Sequence, residues 1–410
     1  MEAMRQAFRL LWAHKIRSAL TLFGLVWGTA AVIFLVAWGA GVRTMVERGY
    51  TNTGKNLGQI WAGRIGEEYT PAVDRRYLWI SWQDVLETRK RARIAELVGA
   101  ERRRYLAVSA GAKALSMEVR GVEPVGQRIR ALPVAAGRAI SQADLDHRRR
   151  VAVLGHDARR DLLGPGGGVG SRIRVGGVSF RVVGLLARVG TQFGRDGEEV
   201  DDQIQVPITT HFTSWPEPWT DDDVITYVLY RMPDESLLEE TETELRRILA
   251  ARVGVGPTDE EAIVAWSPVE ALRAIPITQQ NGVLFALAAT TLVIGGIGVL
   301  NMMLDSVRSR RREIGIRLAV GGRPRDVLLQ FFLETLTIVA VGGALGVLLG
   351  IGCCLVLGAL RMPDVVPVPE LSFRVVALAV GVIGGVGLVA GSVPAWLASR
   401  VDPALTLRIE

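Results

Sequence analysis

Cysteine is nearly absent: only Cys353 and Cys354 occur in 410 residues, side by side within an apolar run. Adjacent thiols in that setting build neither a disulfide framework nor a four-ligand zinc site, and they read as packing residues. Lysine is almost as scarce, at four (Lys15, Lys55, Lys90 and Lys113), so the net charge of +6 rests on arginines scattered along the chain. Phosphate recognition needs a concentrated basic footprint, and the scatter argues against a nucleic-acid partner. The four histidines (His14, His147, His156, His211) are dispersed, with neither a His-Glu-x-x-His pair nor a Gly-x-Ser-x-Gly elbow, so no enzyme is expected on this chain. Charge itself is low at 22%, against 49% hydrophobic residues and 46 glycines, which is too apolar for an entirely soluble protein. The polar remainder is still too large for a transporter buried wholly in lipid.

Four stretches lack charge over more than about 18 residues, each enough to cross a hydrocarbon layer of about 30 Å. They run over 18–42, 274–304, 335–360 and 375–399. Arg5, Arg9, Lys15 and Arg17 precede the first, and Arg308, Arg310, Arg311, Arg312, Arg317, Arg323 and Arg325 separate the second from the third. The connection at 361–374 holds only Arg361 and Arg374 against Asp364 and Glu370. The basic excess predicts both termini and segment 305–334 inside, with 43–273 outside. Residues 1–17 read as an interfacial helix, with Met4, Ala7, Phe8, Leu11 and Trp12 opposite Arg5 and Arg9, and 400–410 as a cytoplasmic tail. Trp38, Trp396, Phe331 and Phe332 fall where interfacial rings are favoured. Gly24 and Gly28, Gly342, Gly346 and Gly350, Gly381 and Gly385, and Gly387 and Gly391 recur at four-residue spacing, which predicts close helix approach.

Segment 43–273 is long enough for its own core and reads as mixed α/β with a β-rich insertion, in two subdomains. Strands are expected over 56–62, 150–154, 172–175, 178–186, 203–206, 227–231 and 263–266. Ser81 with Asp84 resembles a capping box opening a helix through Arg93; further helices are expected up to Leu163 and from Asp234 to Gly254. Gly49 to Asn56 approaches the phosphate-cradling pattern, but Asn56 stands where the magnesium-binding hydroxyl is required, and no strand feeds it. Asp144, Asp146 and His147, flanked by Arg148 to Arg150, read as a solvated loop, as does the acidic run Glu198, Glu199, Asp201 and Asp202 rather than a calcium site. Neither metal nor disulfide is expected to hold this part, so a soluble piece from Thr53 to Ile263 is expected to fold alone.

Segment 305–334 carries the sharpest signal. Val307, Arg311, Ile314 and Leu318 share one helical face, Gly321, Gly322 and Pro324 break the helix, and a second amphipathic helix leads into the third span. A short helix suspended between two spans is a lever. Membrane topology or anionic lipid accounts for the arginines, but not for Glu313-Ile-Gly-Ile-Arg317 followed by paired glycines.

These residues resemble the MacB/FtsX-like permeases of ABC transporters. The likeness rests on Asn301–Leu304, Arg311–Arg317, Ala319–Gly321, Gln330–Glu334 and Lys15–Thr21, with Arg150–Gly155, Val169-Gly170 and Phe180–Gly184 resembling the family's periplasmic core motif. It implies a homodimeric permease in the inner membrane, four membrane helices per subunit, and cytoplasmic ABC ATPase subunits that bring ATP and Mg. Arg310, Arg312, Glu313, Gly315, Arg317 and Gly321 are the expected ATPase-coupling residues. MacB carries its ATPase before the first span, where this sequence has about 17 residues, so a separate ATPase chain is expected. Export of hydrophobic drugs, peptides, lipids or lipoproteins follows, through a periplasmic adaptor and outer-membrane channel. The alternative is an FtsX-like regulator that transmits ATPase state to a cell-wall partner such as a hydrolase.

Overall fold

The computed structural model describes residues 15–52, 54, 56–66, 77–111, 113–190, 192, 200–220, 223–360, 362 and 366–400. The interfacial helix and the tail expected at the two ends, and Glu198 and Glu199, lie almost wholly outside these residues. The chain divides into an α/β unit, Val46–Ile275, and a helical unit formed by Met1–Met45 with Pro276–Glu410.

In chain order the first elements are α1 (Lys15–Thr51), β1 (Leu57–Ala62), α2 (Trp82–Arg91), β2 (Leu97–Ala110), β3 (Lys113–Val122), α3 (Pro124–Arg130), β4 (Val134–Gly137) and α4 (Gln142–Asp146). There follow β5 (Val151–Leu154), α5 (His156–Leu163), β6 (Arg172–Val175), β7 (Val178–Leu186), β8 (Ile204–Pro207), α6 (Ile208–Ser214), β9 (Tyr227–Arg231), α7 (Leu238–Val253), β10 (Ile263–Trp266) and α8 (Pro268–Ala274). The sheet runs β10-β1-β9-β2-β3-β8-β5-β7-β4, and β6 pairs with both β2 and β7. That second pairing closes β2, β3, β8, β5, β7 and β6 into a ring, which removes most exposed strand edges. Val108, Val119, Leu154, Ile173, Val175, Phe180, Val182, Ile204 and Val206 form the core belonging to the ring. A different core, with Ile60, Val98, Ala100, Val228, Tyr230, Leu245 and Leu249, belongs to the open end of the sheet.

The two expected subdomains are therefore two cores on one continuous sheet. Strand β2 joins them: Leu97 to Glu101 pair with β9, while Val108 and Ser109 pair with β6. The β2–β3 hairpin was not expected, because Glu101, Arg102, Glu118 and Arg120 are buried within it and spoil the alternation that marks a strand. Arg120 donates to Glu101 at 2.7 Å and Arg130 to the other Glu101 oxygen at 3.0 Å, and Arg120 also pairs with Glu118. Helix α2 stops before Arg93 because the Glu244 carboxylate takes the N–H groups of Arg93 and Ile94, each at 2.9 Å. Its Ser81–Asp84 capping box is present as expected.

One carboxylate in each expected solvated loop is buried, while Asp146, His147 and Asp202 are exposed. Asp144 is buried, closes a capping box with Ser141, and accepts from Arg138 at 2.5 and 3.0 Å. Asp201 is buried and accepts the N–H groups of Val189 and Gly190, both at 2.9 Å. Internal turns consume these carboxylates, and no cluster of metal-ligating residues occurs among the described residues. At Gly49 to Asn56 the chain passes from helix α1 to strand β1, the reverse of a phosphate loop's strand-to-helix order. A soluble piece ending at Ile263 would cut away β10, whose residues to Trp266 pair with β1.

The helical unit contains the first part of α1 with α9 (Ile277–Ser309), α10 (Arg311–Ala319), α11 (Pro324–Ala359) and α12 (Phe373–Ser399). Among the described residues four helices, α1, α9, α11 and α12, are long and apolar enough to cross a membrane. Pro276, which lacks an N–H, is the N-cap of α9, so that helix starts at Ile277. Helix α11 is continuous from Pro324, joining the expected amphipathic segment to the third span. Glycines let these helices touch. A Cβ on Gly346 would meet the Val26 carbonyl oxygen at 2.7 Å, on Gly28 the Leu292 Cα at 3.0 Å, and on Gly387 the Val339 Cγ1 at 2.7 Å. Gly381 and Gly385 face no neighbour within 4 Å. The α11–α12 connection returns to α1, where Thr44 donates to Glu370 at 2.8 Å. Phe331 is buried in the core of the helical unit, while Trp396 is half exposed with the Arg400 guanidinium 4.2 Å from its ring centroid.

Candidate functional site

The expected lever is a hairpin of α10 and the first three turns of α11. Helix α9 ends at Ser309, and Arg310, with φ −103° and ψ 10°, serves as its C-cap and as the N-cap of α10. Val307 thus belongs to α9, not to the face it was expected to share with Ile314 and Leu318. Beyond Ala319 the glycine pair completes a Schellman turn: Gly322 N–H bonds to the Arg317 carbonyl at 2.9 Å and Gly321 N–H to that of Leu318 at 3.2 Å. Gly321 has φ +100°, a left-handed conformation that glycine adopts without steric cost. Pro324 then stands at the first helical position of α11, where its missing N–H costs nothing.

The two arms flank a small cleft lined by Arg310, Glu313, Ile314, Arg317, Val327, Gln330 and Phe331. Arg317 lies 3.3 Å from Glu313 and donates to Gln330 Oε1 at 2.9 Å. Arg310 Nη1 lies 3.7 Å from Glu334 Oε1. Ile314, Val327 and Phe331 join the core of the helical unit, while Arg312, Ile316 and Arg317 are exposed. At the turn Val320 is 84% exposed, beside exposed Arg323 and Arg325.

Of the six expected coupling residues, Arg310, Glu313 and Arg317 line the cleft. Gly315 is buried on α10, Arg312 faces outward, and Gly321 makes the turn. The second wall (Val327, Gln330 and Phe331, with Glu334 behind it) was not expected. Its helical spacing was readable, but Phe331 and Phe332 suggested a membrane interface.

Residues 18–248 match the family model of the MacB-like periplasmic core domain, and 285–403 match that of the FtsX-like permease C-terminal region. Among curated relatives, the chain is 31% identical over 414 residues to the macrolide export ATP-binding/permease protein MacB of Bdellovibrio bacteriovorus, covering all of this chain and 62% of that protein. It is 33% identical over 420 residues to the pyoverdine export ATP-binding/permease protein PvdT of Pseudomonas fluorescens, covering all of this chain and 60% of that one. The chain thus spans about 60% of the length of these relatives. The solved periplasmic region of MacB from Actinobacillus actinomycetemcomitans aligns with 56% of this chain and 96% of its own, at 15% identity and a TM-score of 0.43. With one family model covering more than half its length and the other matching the helices around the hairpin, the chain belongs to the MacB/FtsX-like ABC transporter permeases.

Proposed function

We propose that this chain is the permease part of an exporter, in which ATP hydrolysed with Mg on cytoplasmic ABC ATPase units moves the α/β unit outside an inner membrane. Two copies pair, both termini and the α10–α11 turn face the cytoplasm, and each turn seats one ATPase subunit. The observation that carries this reading is the hairpin: an exposed apolar tip, Val320, within an arginine rim, on an arm whose other face is packed. An apolar anchor ringed by charge is the pattern of a protein-docking site.

The apolar spans hold almost no ionisable side chains, whereas a polar solute crossing the bilayer ordinarily meets polar partners near the midplane. Transmission of motion therefore fits better than passage through the helices. The cargo would already be outside or in the outer leaflet, and would be handed to an adaptor and outer-membrane channel. The cargo class proposed is hydrophobic drugs, peptides, lipids or lipoproteins; relatives named for macrolide export and pyoverdine export are in keeping with an export role. The test is Glu313→Lys in the ATPase-bound complex. It is expected to separate ATP hydrolysis from export by reversing the charge beside Arg317, with membrane insertion intact. Unchanged ATPase retention and unchanged export would overturn the reading.

A further inference from the structure

Glu334 is the most anomalous buried group in the helical unit. It is 1% exposed, and neither carboxylate oxygen has a hydrogen-bond partner among the described residues. Its one charged neighbour among the described residues, Arg310, lies at 3.7 Å, close enough for Coulomb attraction and too far for a good N–H···O bond. A buried carboxylate held this loosely is a poor stabilising device, since an apolar side chain of similar size would avoid the desolvation cost. What the contact does supply is direction. Arg310 is the joint between α9 and α10, and Glu334 sits on α11, so the pair ties the base of the hairpin across the cleft. Arg317 to Gln330 ties it again nearer the tip. Arg310 and Arg317 are seven residues apart, or about 10 Å along a helix. Ile314, between Arg310 and Arg317 in the chain, is buried in the core of the helical unit.

We infer that Glu334 is a positioning residue which fastens the α9–α10 joint to α11 through Arg310, so that force applied to α10 is delivered to α11. With only the tie near the tip, α10 can swing about the Arg310 joint and the Gly321–Gly322 turn, and the displacement is lost there. Delivery of force rests on the docking reading above, whereas the fastening itself does not.

Two measurements separate these parts. The first is hydrogen exchange of the full chain in lipid nanodiscs, comparing wild type, Glu334→Met and the Arg310→Met/Glu334→Met double variant. Glu334→Met is expected to raise exchange of the α10 amides about tenfold without lowering the melting temperature, and the double variant to add nothing further. Unchanged exchange, a further rise in the double variant, or a rise that merely follows a lower melting temperature would overturn the fastening. The second measurement uses the complex purified with its ATPase from the native membrane, and reads the ATP-dependent change in exchange over residues 57–266. Glu334→Met is expected to abolish that change while basal hydrolysis continues. A change retained in the variant overturns the positioning role and leaves docking intact. A wild-type preparation without ATPase activity overturns docking and force delivery, and leaves the fastening to the first measurement.

Discussion

In the α/β unit, Glu101 is buried with Arg120 and Arg130 each donating to one of its oxygens, whereas in the helical unit Glu334 is buried with Arg310 at arm's length and no hydrogen bond among the described residues. Burial alone would raise the Glu101 carboxyl, but Arg130 and Arg120 reverse that and hold it below the ordinary carboxylate range. The first arrangement is closed and locks two cores onto one strand. The second is a single ion pair that fastens α11 to the α9–α10 joint at one point. A rigid body and a point fastening between helices are thus distinguished by how completely each satisfies its buried charge.

The contrast is broken most forcefully by Glu101→Gln, which takes the carboxylate partner from buried Arg130 and leaves Arg120 with Glu118. Removing one partner of such a network costs about 3–5 kcal/mol. Urea unfolding of the full chain, read by hydrogen exchange over β2 and β3, should show that loss, while the α9–α12 amides stay unchanged.

Acid should act nearly as strongly on the same unit. His211 is fully buried and edge-on to Trp215, and burial, reinforced by Arg102 and Arg104, pulls its pKa down to about 3. The unfolded chain binds that proton near pH 6.5, so stability is present above this value and falls as pH drops toward 3. From pH 6.5 to 4 the loss is about 3 kcal/mol at 1.36 kcal/mol per pH unit. Below about pH 4 Glu101 and Asp144 add to it, since burial is outweighed by Arg130 and Arg120 at the first and by Arg138 and Ser141 at the second, and both native pKa values are lowered. Urea midpoints measured against pH check this, and His211→Leu should remove the upper part of the decline. A flat profile down to pH 4.5 would contradict it.

The helical unit offers a sharper internal comparison. Gly346→Val drives a side chain into the backbone of α1 and should cost about 1–3 kcal/mol by overpacking, whereas Gly381→Ala, with open space around it, should stay within about 0.5 kcal/mol. Thermal unfolding in matched detergent distinguishes them. The smallest expected effect is none: because Asp201 is engaged by backbone N–H groups, calcium should neither bind by titration calorimetry nor raise the melting temperature, and chelator should not lower it.

Much of the fold was readable from the sequence where one physical signal acted alone. Strands β6, β7, β9 and β10 match their expected bounds: alternation and the Gly176-Gly177 turn marked β6 and β7, and short runs of apolar β-branched and aromatic residues marked β9 and β10. Strands β2 and β3 escaped because their buried Glu101, Arg102, Glu118 and Arg120 look exposed until their partners are known, and those partners include Arg130 and Glu217 on other segments. Strand β4, exposed throughout, has no buried face to announce it. At the site the α10 arm was legible from its charge pattern and glycine stop. The α11 arm was not, since Glu334 gains its meaning only when the hairpin brings Arg310 beside it.

The pairing of β1 has a consequence for synthesis. Its partners β9 and β10 stand about 170 and 200 positions further along the chain. At about 5–20 residues per second, the ribosome needs on the order of 10–40 s to make them after β1 emerges. Throughout that interval Leu57-Gly-Gln-Ile-Trp-Ala62 is an apolar strand with neither edge covered, open to the wrong neighbour. The last strand made is the one that ends the exposure, so a nascent chain stalled before Ile263 would be a substrate for chaperones or proteases rather than a partly useful domain.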